Sequence, residues 1–160
     1  MVDKQKIIRA VRLILEAIGE DPDRPGLRDT PRRVADMYEE IFSGYNSEND
    51  VVYFEKFSDM VICKNIRFYS MCEHHILPFY GFVDIAYIPS SRIAGISKLV
   101  RIVQRYSRRL QIQERMTEQI ADEIYNMYKP RGVLVLIRSK HMCMIIRGVK
   151  NPATIISMAY

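Results

Sequence analysis

Residues 5–18 place Ile7, Ile8, Val11, Ile14, Leu15 and Ile18 at the three-to-four-residue spacing of one helical face, which predicts an amphipathic helix. The next segment, GEDPDRPGLRD, is rich in Gly, Pro and Asp and reads as a loop. Thr30 then offers an N-cap with Pro31 in the first helical position, and a second helix runs through Val34, Met37, Tyr38 and Ile41, with Gly44 able to end it. Residues 45–59 are polar and weakly patterned and read as a connector. From about residue 60 the period shortens. Residues 61–69 and 79–88 are rich in β-branched and aromatic side chains and predict two strands, with the loop SMCEHHILP between them. Helices follow over 96–110 and 113–128, then strands over 132–138 and 141–149, joined by a tight turn at Ser139–Lys140. The order ββααββ predicts an α+β unit, most simply a four-stranded antiparallel sheet with helices on one face. We read residues 1–160 as one domain, with 1–44 a helical appendage to a 60–150 core, and find no repeats.

A length of 160 residues suits one domain with a sizeable core, and 48% apolar residues argue for a folded globule. No apolar run approaches the roughly 20 residues that a membrane span needs; the Val133–Ile137 stretch is typical of the longest. The N-terminal segment is charged throughout and has no signal-like apolar stretch, and an odd count of three cysteines fits a reducing cytoplasm, so a cytoplasmic protein without a membrane partner is expected. The net charge of +5 is uneven. Residues 1–60 hold 9 basic against 13 acidic residues, net −4, and residues 61–160 hold 15 against 6, net +9. An anionic partner is expected for the second half.

The three histidines, His74, His75 and His141, each lie within three residues of a cysteine. Thiolate and imidazole are the usual ligands of Zn²⁺, and three protein ligands leave a fourth position for water, the catalytic pattern. Cys72 and His75 are spaced to meet one ion from a loop, and Cys143 joins from the second hairpin, where His141 and Cys143 are expected on one face of a strand. Two histidines are then left over beside the metal. Buried thiols and satisfied histidines are the alternative, and Cys63, with no histidine nearby, reads as a core thiol. In the helix from Ser97 to Leu110, Lys98, Arg101, Arg105, Arg108 and Arg109 fall on one side with no acidic partner within the helix. The stripe reads as a solvated face, although the first turn, with free N–H groups, a hydroxyl and an ammonium, suits phosphate. The run lacks the interleaved aromatics of a nucleic-acid surface. Gln113-Glu114 opens a helix, where Glu114 complements the helix dipole; a carboxylate there can also pair with the N1–H and exocyclic amine of guanine.

Four segments, DTPRRVADMYEEIFSG (29–44), SMCEHHILPFYG (70–81), AGISKLVRIVQRYSRRLQIQERMTEQIA (94–121) and HMCMIIRGV (141–149), together resemble the GTP cyclohydrolase I family, in the family's order and over nearly the whole chain. The resemblance implies the tunnelling fold, in which ββααββ units assemble side by side into a barrel, and a homodecamer with active sites at subunit interfaces. It implies zinc ligands at Cys72, His75 and Cys143 and catalytic histidines at His74 and His141. It places triphosphate contacts at Ser97, Lys98, Arg101 and Arg147, with Arg33 a further candidate, and guanine recognition at Gln113 and Glu114. The implied reaction takes GTP and water to 7,8-dihydroneopterin triphosphate and formate, the entry to tetrahydrofolate synthesis. In it, zinc acidifies a water that attacks guanine C8, and a histidine protonates N7 as the ring opens. The family usually continues through a further segment and a C-terminal helix past the position where this sequence ends, 13 residues beyond Arg147, which bears on assembly more than on metal chemistry.

Rival readings are weaker. A zinc nucleobase deaminase would show H-x-E with P-C-x-x-C, and neither occurs. The nitrile reductases of the tunnelling-fold group use a nucleophilic cysteine without zinc, which the Cys72, His75 and Cys143 set argues against. A zinc-stabilised RNA-binding protein would need a fourth ligand and no spare histidines.

Overall fold

The computed structural model describes residues 2–47, 51–55 and 58–160. Two helices lead the chain. Helix α1, Lys4–Ala17, is capped by the Asp3 carboxylate, which accepts from the Lys6 N–H, and it buries Val11 and Leu15 against α2, Thr30–Ile41. Ile14 and Ile18, expected on the inward stripe, are exposed, so the stripe is covered only in part. Asp29 rather than Thr30 takes the N-cap position of α2, and Pro31 sits in its first turn. The helix ends at Ile41 before a 3₁₀ turn over Ser43–Asn46.

Gly44 in that turn does not act as a helix terminator. A Cβ there would lie 2.2 Å from the Arg105 carbonyl oxygen and 2.7 Å from that of Arg108, so glycine permits a close backbone approach to the next helix pair. The Gly44 N–H donates to Arg108 O at 3.1 Å, and the Arg109 guanidinium donates to Gly44 O at 2.8 and 3.2 Å while lying over the Tyr45 and Tyr106 rings. This clasp docks the N-terminal arm.

The body is a five-stranded sheet in the order β5-β2-β3-β6-β7, built from β2 (Val61–Cys72), β3 (Leu77–Ile88), β5 (Leu110–Gln111), β6 (Gly132–His141) and β7 (Ile155–Ala159). Four strands are antiparallel as expected; the two-residue β5 adds a parallel pairing to Met71–Cys72 that the pattern did not reveal. A separate two-stranded ribbon pairs β1 (Tyr53–Glu55), inside the expected connector, with β4 (Arg92–Ala94). The rest of that connector reading falls partly on 48–50 and 56–57, outside the described residues.

Helices α3 (Ile96–Ser107) and α4 (Gln113–Tyr128) cover one sheet face. Alternation in the strands sends Phe68, Phe79, Val83, Ile85, Val135 and Ile137 inward to meet Leu99, Ile102, Met116, Ile120 and Ile124. Burying each such side chain stabilises the fold by about 1.5–3 kcal/mol. The other face exposes Tyr69, Tyr80, Phe82, Leu134, Ile156 and Met158.

The second hairpin differs from its expected form. β6 runs straight through Ser139 and Lys140, because the β3–β6 ladder continues to Phe79 opposite His141. The apolar run after it, Met142–Ile145, coils into a short helix α5 rather than a strand, and the return strand is β7, further along. His141 and Cys143 therefore do not share a strand face: one ends β6 and the other lies in α5.

Candidate active site and metal centre

The β2–β3 hairpin closes through four residues, Glu73-His74-His75-Ile76. The Ile76 N–H donates to Cys72 O at 2.9 Å, and Ile76 itself lies in the left-handed region at φ 51°. A β-branched residue there stores strain of order 1–3 kcal/mol, held by the surrounding turn. Arg115 of α4 forms an ion pair with Glu73, and β5 pairs with Cys72, so the turn is fixed from two sides.

The turn brings Cys72 and His75 together, and α5 adds Cys143. The three ligand atoms lie within 4.8 Å of one another. On a tetrahedral ion with bonds of about 2.0–2.3 Å, such atoms stand roughly 3.5–3.8 Å apart, so a small contraction seats a metal ion. Two soft thiols and an imidazole suit zinc chemistry. Burial, and after it the neighbouring Cys72 thiol, pushes the Cys143 thiol above the ordinary range. Arg147 Nη1 stands 2.8 Å from His75 Nε2.

Beside the three ligands is a hollow of about 270 Å³, lined among others by Cys72, His74, Gln113, Glu114, His141 and Cys143. It unites both leftover histidines with the Gln113-Glu114 pair. Glu114 is exposed and sits in the first turn of α4. His141 stacks on Phe79 at 4.6 Å with 5° between planes, and burial lowers its imidazole below the ordinary histidine range, against the opposing pull of Glu114. Gln113 is only 1% exposed, and its side chain faces inward to Ser139, Ser157 and His141.

The phosphate candidates lie elsewhere. Ser97, Lys98 and Arg101 occupy the first turns of α3 and do not line the hollow. Lys98 is buried, 8% exposed, not part of a solvated stripe. Arg105 also leaves that stripe to pair with Glu123 of α4 at 2.8 Å, and Arg108 and Arg109 are spent on the 3₁₀ turn. Of the basic residues named for phosphate, Arg147 reaches the metal turn through His75, whereas Arg33 forms an exposed ion pair with Asp29 in α2. Cys63 packs against the core, as expected, with its thiol raised by burial. Sequence reasoning missed Ser139, Ser157 and Thr117, which surround Gln113. The signal lay in the Q-x-x-x-T and S-x-H spacings, which place both members of each pair on one face of a helix and of a strand.

The sequence model of the family described as GTP cyclohydrolase I matches residues 7–160. The chain is 57% identical over 152 residues to GTP cyclohydrolase 1 of Hyperthermus butylicus, covering 95% of this chain and 79% of that protein. It is 58% identical over 159 residues to that of Carboxydothermus hydrogenoformans, with 96% and 83% covered. For Listeria monocytogenes serotype 4a it is 51% identical over 158 residues, with 96% and 84% covered. Among solved structures, the fold resembles the apo archaeosine synthase QueF-Like at TM-score 0.53 and 20% identity, covering 65% of this chain and 94% of that one. That likeness speaks for the tunnelling fold alone. The expected α+β fold is therefore found, and the matches over nearly the full chain place it, as an enzyme, in the GTP cyclohydrolase I family.

Proposed function

We propose that the chain converts GTP and water to 7,8-dihydroneopterin triphosphate and formate, with Zn²⁺ held by Cys72, His75 and Cys143. One observation carries the reading: three ligand atoms lie within 4.8 Å of one another, and two of their residues, Cys72 and Cys143, line a hollow together with His74, His141 and Glu114. When bound, Zn²⁺ lowers the pKa of a water toward about 7, which suits hydrolysis at guanine C8 near neutral pH. The rest falls to the chain. Glu114 accepts from the guanine N1–H and exocyclic amine, a bidentate charge-assisted pair. His74 and His141 share the proton transfers: to N7 as the imidazole ring opens, in the release of formate, and in the ribose rearrangement before the ring recloses.

Ser97, Lys98, Arg101, Arg147 and Arg33 hold the triphosphate. The first three lie away from the hollow, which supports a site completed by a neighbouring copy in a homo-oligomer, a decamer on the family pattern. The apolar outer sheet face and the terminal position of β7 in the sheet supply surface for such assembly. The enzyme then works in the cytoplasm on a small-molecule substrate, feeding a tetrahydrofolate route, with neither nucleic acid nor membrane as partner. No helix among the described residues is long and apolar enough to cross a membrane.

The test is incubation of zinc-loaded protein with GTP, following pterin absorbance and formate. Product formation that a chelator abolishes, lost in Cys143→Ser and kept in Cys63→Ser, is expected. Turnover indifferent to the chelator and to Cys143→Ser refutes the metal assignment. No product from zinc-loaded protein refutes the activity.

A further inference from the structure

We infer that the Gln113 side chain is a positioning residue for His141 and not a guanine contact: a buried clamp of Ser139, Thr117 and Ser157 fixes its amide so that His141 carries its proton on Nε2. This rests on the reading of His141 as a proton-transferring residue.

The amide can be oriented from its partners alone. One of its terminal atoms stands 3.2 Å from the carbonyl oxygens of both Ile137 and Ile155, and 3.0 Å from Ser157 Oγ. Backbone carbonyls only accept, so that atom is the NH₂ group. Ser157 Oγ is in turn 2.6 Å from Thr117 Oγ1, which donates to Gln113 O at 2.7 Å. The directions close into a ring: amide to Ser157, Ser157 to Thr117, Thr117 back to the Gln113 backbone. The opposite atom, Oε1, accepts from the Ser139 hydroxyl and meets His141 Nε2 at 2.8 Å. An amide oxygen carries no hydrogen, so the hydrogen of that contact belongs to His141 Nε2. In the neutral ring the lone pair is then on Nδ1.

All the hydrogen-bonding capacity of the amide is used inside the protein, which leaves none for a purine. Any guanine contact from this position falls to Glu114 or to the backbone. The sequence supplies the parts on three elements. Ser139 and His141 share one face of β6, Gln113 and Thr117 are one turn apart on α4, and β7 pairs with β6 so that Ser157 lies opposite Ile137. Phe79, opposite His141 in the β3–β6 ladder, holds the ring plane from its face. A glutamate at 113 would turn carboxylate oxygen onto two carbonyl oxygens, so this geometry selects the amide.

The test combines NMR and kinetics on the full chain. With ¹⁵N-labelled histidine, the three histidines give three ring systems, assigned by single substitutions. In the wild-type chain the neutral His141 ring is expected as the Nε2–H tautomer; finding Nδ1–H there overturns the inference without any mutation. In Gln113→Leu the Nε2–H preference is expected to fade, with kcat for GTP down about 10- to 100-fold, as when an orienting partner of a functional histidine is removed, and KM within about twofold. A raised KM at unchanged kcat marks a guanine contact and overturns it, as does a folded Gln113→Leu that keeps the wild-type tautomer. If wild-type protein turns over no GTP, the proposed activity fails, while the tautomer measurement still reads the clamp.

Discussion

Gly44→Ala is the sharpest probe of how the N-terminal arm is attached. The glycine does not adopt a left-handed φ, so alanine costs nothing in backbone conformation, and every cost comes from contact. Its Cβ would sit 2.2 Å from Arg105 O and 2.7 Å from Arg108 O, both backbone atoms of a packed helix end that cannot swing aside. The 3₁₀ turn must withdraw instead. Withdrawal breaks the Gly44 N–H bond to Arg108 O and the two-pronged bond from Arg109 to Gly44 O. One neutral bond is worth about 1 kcal/mol and a guanidinium pair about 1.5–3 kcal/mol. The restricted unfolded chain of the alanine variant returns about 0.4–1 kcal/mol. The net expectation is a loss of about 2–3 kcal/mol, concentrated in residues 2–47. Hydrogen exchange and limited proteolysis of that arm, with urea unfolding followed by tyrosine fluorescence at fixed protein concentration, measure it. A change below about 0.5 kcal/mol, or exchange that speeds equally in α4 and in α1, refutes the clasp.

Two other outcomes follow from the geometry. Burial first, and then the hydrogen bond to Glu123, pushes the Tyr106 phenol from 10.0 up to about 12, so its contribution to stability is complete below about pH 10 and fades as pH rises toward 12. Tyr106→Phe is therefore expected to flatten the fall of the urea midpoint over that window, leaving a residual slope from Tyr87 and Tyr128, whose phenols are also raised by burial; parallel slopes in parent and variant would contradict this. With Glu114 holding guanine as proposed, Glu114→Gln would remove a charge-assisted pair worth about 1.5–3 kcal/mol, so kcat/KM for GTP is expected to drop roughly 10- to 150-fold with metal content unchanged, and an unaltered kcat/KM would remove Glu114 from guanine binding.

The parts of the fold that were legible in the sequence are those where one face is buried along a regular element. The expected 5–18 and 113–128 helices match α1 and α4 to within a residue at each end. β2 and β3 run further toward the metal turn than their apolar patterns, because the ladder is a backbone property and continues through Ser70, Cys72 and Pro78. The second hairpin misled for the opposite reason. Met142–Ile146 is apolar enough for a strand, yet past His141 the chain has no partner in β3 and coils instead. Residue identity was the informative signal for the site, since histidines and cysteines co-cluster twice in a chain with three of each. Orientation was not. Nothing in the spacing of Lys98 or Gln113 shows that both turn inward, because that depends on what the sheet and β7 bring against them from distant parts of the chain.

The three candidate metal ligands come from two places: Cys72 leads into a four-residue turn that contains His75, and Cys143 arrives 68 positions later, just past the end of β6. Strands tolerate slippage by two residues in one respect, since every side chain keeps its face. Such a slip of β6 along β3 would carry Cys143 about 6–7 Å away, beyond the reach of any ion held by the hairpin turn. Coordination thus discriminates between alignments that hydrophobic burial treats alike. A bound ion also ties off a long stretch of polypeptide, and the entropy so removed from the unfolded chain grows only with the logarithm of its length. A metal ion held by these three residues, as proposed, would in this sense also proofread strand alignment, and its uptake should lag until β6 has found its place beside β3.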